Sequence, residues 1–161
     1  MRKLVRITPH FAVTGALQPE DFAEAAALGF KSIVSNLPDG ESSAHLTAQQ
    51  EAELAQRAGL SFRHIPTTTP EVFSERVVGG TSHALSQLPA PVLAHCAAGL
   101  RSAIAWAAAA ARGQPVDCVL QRLAEAGFNL EGIRGELENQ HDPAHISPIP
   151  PALDAGCDGG I

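Results

Sequence analysis

Val92-Leu93-Ala94-His95-Cys96-Ala97-Ala98-Gly99-Leu100-Arg101-Ser102 enters as a compact apolar strand and leaves into an alanine-rich helix, Ala103 to Arg112. Strand, tight turn and helix in direct succession is the building unit of a sheet covered by helices. The turn has the makings of an anion cradle. Successive backbone N–H groups point inward there, and the helix N-terminus adds its partial positive charge. Gly99 permits a backbone conformation that a side chain would obstruct. Small Ala97 and Ala98 leave the mouth open. Cys96 sits at the loop base, where the helix dipole and Arg101 favour a thiolate. Arg101 offers a planar, bidentate donor to an oxyanion. Ser102 is placed to hydrogen-bond the sulfur or to cap the helix. Packing alone does not require this set of residues.

Outward from that loop the chain alternates. Val5 to Thr8 and Phe11 to Thr14 read as short strands around a Pro9-His10 turn. Pro19 opens a helix that Gly29 stops, and Lys31 to Asn36 forms a strand closed by the turn Leu37-Pro38-Asp39-Gly40-Glu41. Thr47 with Gln50 makes a capping box for a second helix ending at Ala58-Gly59. Ser61 to Ile65 is the next strand, broken by Pro66. A helix over Glu71 to Leu88 follows, weakened by Gly79-Gly80. Beyond the central strand and helix, Pro115 starts another helix ending at Gly127, and Glu131 to Glu138 is one more. Short strands, apolar on both faces and interleaved with helices, predict an α/β three-layer sandwich with a mostly parallel sheet. Residues 1–138 form that domain. Residues 139–161, rich in Pro and Gly and without periodicity, read as a tail that wraps the surface or stays disordered.

Composition narrows the partners. The chain has 161 residues, a net charge of −6 and 45% hydrophobic residues, with a mean hydropathy of +0.02: one ordinary globular domain. No basic field exists to hold nucleic acid or an anionic membrane, so any anion must be captured locally. The most apolar window, Ala103 to Ala111, is far short of the ~20 residues needed to span a bilayer. Cys96, Cys118 and Cys157 are too few and too scattered for a disulfide framework, and Met1 to Thr8 has no apolar signal core. A reducing cytoplasm is the default location, with Cys118 on an apolar helix face as core filler or as a resolving thiol for Cys96.

Spacing sets the chemistry. Four residues separate Cys96 from Arg101, where tyrosine and dual-specificity phosphatases use five; the shorter loop resembles that of rhodanese-type sulfurtransferases. The order His64-Ile65-Pro66, helix, strand, His95-Cys96 is similar to that of a dual-specificity phosphatase. Together these features resemble the phosphatase-like domain of beta-lactamase hydrolase-like proteins, found alone or fused ahead of metallo-β-lactamase-type domains. The resemblance covers most of residues 4–138. It runs through Ile7-Thr8-Pro9 with Phe11-Ala12-Val13, and Gly29-Phe30-Lys31-Ser32-Ile33 with Asn36 to Glu41. It continues through Phe62 to Pro66 and the Cys96 to Ser102 loop to Ala126-Gly127-Phe128-Asn129-Leu130. It implies a cysteine-phosphatase-like fold and, in sulfide-oxidising settings, sulfur transfer. It also implies a metallo-β-lactamase-type persulfide dioxygenase as a separate partner, since no H-x-H-x-D-H metal motif occurs in this chain.

The remaining polar residues decide between chemistries. A phosphatase uses a general acid. Thr67, Thr68 and Thr69 occupy the stretch where the phosphatases carry it, leaving Glu71 or Asp39, on a loop at the carboxyl end of the sheet, as candidates. His95 either orients Cys96 or is a satisfied strand-end histidine. His141 and His145 are four apart, but Pro143 forbids a regular helical metal pair, and no metal or cofactor is expected. The favoured expectation is a sulfurtransferase. Cys96 takes the outer sulfur of thiosulfate or a glutathione persulfide, becomes a persulfide, and passes the sulfur to a thiol or cyanide. Arg101 and the amides of Ala97 to Ser102 hold the anion. The alternatives are a cysteine-dependent phosphatase and a non-catalytic module sensing an anion or an oxidant.

Overall fold

Strands only four residues long cannot hold a sheet by themselves; these do so because helices cover both faces. The computed structural model describes residues 1, 3–145 and 148–157. Its sheet is built from β1 (Val5–Thr8), β2 (Phe11–Thr14), β3 (Ser32–Ser35), β4 (Ser61–His64) and β5 (Val92–His95), in the order β1-β2-β5-β3-β4. β1 pairs antiparallel with β2, and every other pairing is parallel. The expected α/β sandwich is therefore present, with the hairpin at one edge and β5 in the centre.

Alternation along the strands sorts the core into two layers. Ala12, Ile33 and Leu93 face α1 (Pro19–Ala27) and α2 (Ala48–Ala58), meeting Phe22, Phe30, Ala55 and Leu60. Phe11, Val13, Val34, Val92 and Ala94 face the other way, toward α3 (Glu75–Gln87), α4 (Leu100–Ala111), α5 (Val116–Glu125) and α6 (Arg134–Gln140). The alanine run of α4 lets it lie close under the sheet, and Trp106 fills the gap that small side chains leave. Its ring stacks on Phe11 at 5.8 Å. α1, α2 and α5 close with Schellman hydrogen bonds, in which Phe30 N–H reaches the Ala25 carbonyl, Leu60 the Ala55 carbonyl and Phe128 the Leu123 carbonyl. Each motif turns a large apolar residue back toward its own helix.

Several expectations need correction. α3 starts at Glu75 under a Ser74 cap, after a short 3-10 turn Thr69–Glu71, and runs uninterrupted through Gly79-Gly80. α4 begins at Leu100 rather than Ala103. α6 continues through Gln140, past the expected boundary at 138. The C-terminal segment, expected either to wrap the surface or to stay disordered, is anchored on the domain. Ala152, Leu153 and Ala155 are buried, and their backbones are tied to the domain. The Trp106 indole N–H donates to the Ala152 carbonyl, Gln114 donates to the Leu153 carbonyl and accepts from Ala155 N–H, and Arg122 donates to the Ala155 carbonyl. Cys118 packs partly buried against the core as expected, but it is not a resolving thiol: it forms a disulfide with Cys157. That pairing removes the support that cysteine usage gave to a reducing compartment. Among the described residues no helix is long and apolar enough to cross a membrane.

Candidate active site

Because β5 is central, the loop after His95 emerges in the middle of the carboxyl edge. Ligands of parallel α/β sheets bind there. The register aligns Thr14, Ser35 and His95 along that edge, with His64 opposite Ser35. Cys96 is 1% exposed and is the free cysteine among the described residues. Gly99 takes φ +95°, a left-handed conformation that costs a side-chain-bearing residue roughly 1–2 kcal/mol. In that conformation Gly99 N–H donates to Cys96 Sγ at 3.1 Å. The first backbone bond of α4 runs from Ala103 N–H to the Gly99 carbonyl, so the amides of Leu100, Arg101 and Ser102 have no partner within the helix. The chain after β2 braces the loop. Ala16 N–H donates to the Ala97 carbonyl, and a Cβ on Gly15 would stand only 3.0 Å from that oxygen.

Arg101 is held from two sides. Its Nη1 donates to Glu41 Oε1 at 2.9 Å and to the Thr67 carbonyl at 2.7 Å, and its Nη2 donates to Glu41 Oε2 at 2.8 Å. The fork holds the Glu41 carboxyl below its ordinary range. The same bond from Glu41, together with the Cys96 sulfur, raises Arg101 above its ordinary value. Guanidinium and thiol thus share one electrostatic site, with Ala97, Ala98 and Leu100 exposed around the mouth.

The other expected site residues take the following positions. Ser102 neither caps α4 nor reaches the sulfur; its buried hydroxyl donates to Asn36 Oδ1 at 2.8 Å. Asn36 Nδ2 in turn donates to the Ile65 carbonyl and to Thr67 Oγ1, so this network fixes the strand ends beneath Arg101. The His95 ring meets Glu51 Oε1 through Nε2 at 2.6 Å, with side chains 1% and 2% exposed; its Nδ1 has no partner among the described residues. Asp39 accepts from Ala48 N–H at the start of α2. Glu71 accepts from Thr68 Oγ1 and Arg76, and the Thr68 bond holds its carboxyl low. Neither carboxylate is arranged to deliver a proton. His141 Nδ1 lies against the Ala111 carbonyl, far along α4 from the loop.

Glu41, Glu51, Asn36 and Thr67 join the site without any local motif that marks them for it. Glu51 left one signal. It lies four residues before Ala55 on the buried face of α2, where a carboxylate needs a partner.

A family model described as the phosphatase-like domain of beta-lactamase hydrolase-like protein matches residues 3–113. Curated relatives include the beta-lactamase hydrolase-like protein of Agrobacterium fabrum, 33% identical over 62% of this chain and 23% of its own length. That of Xylella fastidiosa strain Temecula1 is 29% identical over 65% of this chain and 24% of its own. The chain thus spans about a quarter of these relatives. Among solved structures, a Neisseria meningitidis protein named a putative phosphatase superposes with a TM-score of 0.72 at 32% identity, covering 85% of this chain and 97% of that one. The structure of Tk-PTP in its active form matches at a TM-score of 0.58 and 18% identity, over 86% of this chain and 95% of that one; it shows the shared fold. With a cysteine-phosphatase-like fold and this match over most of its length, the chain belongs to the phosphatase-like domain family of beta-lactamase hydrolase-like proteins.

Proposed function

We propose that this chain is a cysteine-dependent phosphatase acting on small phosphomonoesters. The supporting observation is Cys96 at the base of a loop whose Gly99 amide meets the sulfur and whose Arg101 stands in the same electrostatic site. In this reading the Cys96 thiolate attacks phosphorus, an S–P bond forms and the P–O ester bond breaks. Arg101 and the first amides of α4 hold the equatorial oxygens. Water then attacks phosphorus, the S–P bond breaks, and inorganic phosphate leaves a free thiolate. Asp39, Glu41 and Glu71 are each committed to other partners, so the departing oxygen is protonated by water. The enzyme therefore favours leaving groups stable as anions, and kcat/KM falls steeply as leaving-group basicity rises. A series of substituted aryl phosphates tests this; a rate indifferent to the leaving group contradicts it.

A second reading is favoured by one observation, the four-residue spacing between Cys96 and Arg101. Here Cys96 attacks the outer sulfur of thiosulfate, the S–S bond breaks and sulfite departs, leaving a Cys96 persulfide for a thiol or cyanide acceptor. This path also needs no general acid. A separate persulfide-oxidising metallo-β-lactamase-type protein would be its functional partner. Intact mass after thiosulfate treatment distinguishes it: a gain of one sulfur on wild type, absent from Cys96→Ser, supports sulfur transfer.

A further inference from the structure

The Cys96–Arg101 loop has two flanks along the carboxyl edge of the sheet. On the β3–β4 side Arg101 meets Glu41 and the Thr67 carbonyl. On the β2–β1 side lies a cavity of about 310 Å³, whose lining includes Ala98 and Gly99 of the loop itself together with Lys3, Val5, Val13 and Phe128. The register explains the location. Val5 pairs with Val13, and Thr14 with His95, so the start of β1 and the end of β2 lie at the same edge as Cys96. The Schellman end of α5 then carries Phe128 to the outer wall, beyond the residues 3–113 that the family model matches.

The cavity's chemistry is specific. Val5, Val13 and Phe128 give it apolar walls, while exposed Lys3, which makes no ion pair among the described residues, brings a positive charge. Its volume is at the small end of the roughly 300–1,000 Å³ range of ligand sites, ample for one aromatic ring, which fits within about 150 Å³. We propose that this cavity is the leaving-group subsite, and that it takes an apolar group of about one ring carrying its own anionic substituent. Its role as a leaving-group subsite rests on the phosphatase reading. The binding site itself does not depend on turnover. The ester's phosphate sits in the loop, its ring lies between the valines and Phe128, and its carboxylate or equivalent meets Lys3.

The test measures binding of inorganic phosphate, phenyl phosphate and 4-carboxyphenyl phosphate to the Cys96→Ser protein by calorimetry at low salt. Phenyl phosphate should bind about tenfold tighter than inorganic phosphate, from the burial of one ring. The carboxylate should tighten binding a further ~3-fold, as one partly exposed charge pair. Lys3→Glu should invert the carboxylate preference, read as the ratio of 4-carboxyphenyl phosphate to phenyl phosphate affinity. Phe128→Ala should remove most of the ring's gain, and Phe128→Leu, which keeps an apolar wall, should retain part of it. Equal affinity for the three ligands, equal losses in every variant, or no binding at all would overturn the subsite. If the expected binding pattern appears while wild type hydrolyses no aryl phosphate, the subsite stands and the phosphatase reading fails.

Discussion

Arg101 meets any incoming anion with its guanidinium already gripped by Glu41 and the Thr67 carbonyl, so its aim is set before substrate arrives. The pairing defines a pH range. Glu41 has its folded carboxyl below the ordinary value, so the contribution of the pair is fully present above the usual glutamate range. It is lost as pH falls through the lower folded value. An NMR titration should find the Glu41 midpoint depressed in wild type and returned to the ordinary range in Arg101→Ala; equal midpoints would contradict the grip. Glu41→Gln should lower kcat/KM by about 10- to 100-fold through misplacement of the guanidinium. Arg101→Lys, which loses the planar fork, should lower it by about 100- to 1,000-fold. Beneath the loop, Glu51→Leu would leave both ring nitrogens of buried His95 without partners among the described residues. Chemical denaturation should register about 1–3 kcal/mol of lost stability. Cys96, Gly99 and Arg101 were legible because their spacing is local. Glu41 and Glu51 were not, because they meet their partners across 60 and 44 residues of chain.

Helix ends carry much of the local definition, and they were read unevenly. The Thr47–Gln50 capping box stands as the sequence announced it. Thr47→Ala should cost about 1 kcal/mol by denaturation midpoint while leaving the Cys96 loop in place. The start of α4 was read three residues late, because an alanine run advertises helix propensity whereas Leu100-Arg101-Ser102 advertises a loop. That shift matters for chemistry. It puts Arg101 and Ser102 in the first helical turn, turning the Ser102 hydroxyl to Asn36 and leaving the turn's amides for an anion. Substituting Gly99 by Ala should cost roughly 1–2 kcal/mol of strain and pull the amide off the sulfur, so activity should fall further than stability accounts for. Activity unchanged at full folding would show that the Gly99 amide is dispensable.

At the scale of the molecule, alternating strands and helices gave away the sandwich, and the loop with its flanking segments gave away the family. The C-terminal segment was hidden because prolines and glycines carry no periodicity. Its attachment comes instead from backbone groups meeting Trp106, Gln114 and Arg122, and from Cys118–Cys157. The cross-link closes a sequence separation of 39 residues. Cys157→Ser should therefore lower stability by about 2–4 kcal/mol without changing the Cys96 chemistry, measured as the denaturation midpoint beside kcat/KM. The catalytic role rests on what Cys96 receives. Wild type mixed with an activated aryl phosphate, quenched rapidly in acid and weighed intact, should carry one phosphoryl group that Cys96→Ser lacks. Undiminished turnover by Cys96→Ser, or an adduct placed on any other residue, would contradict it.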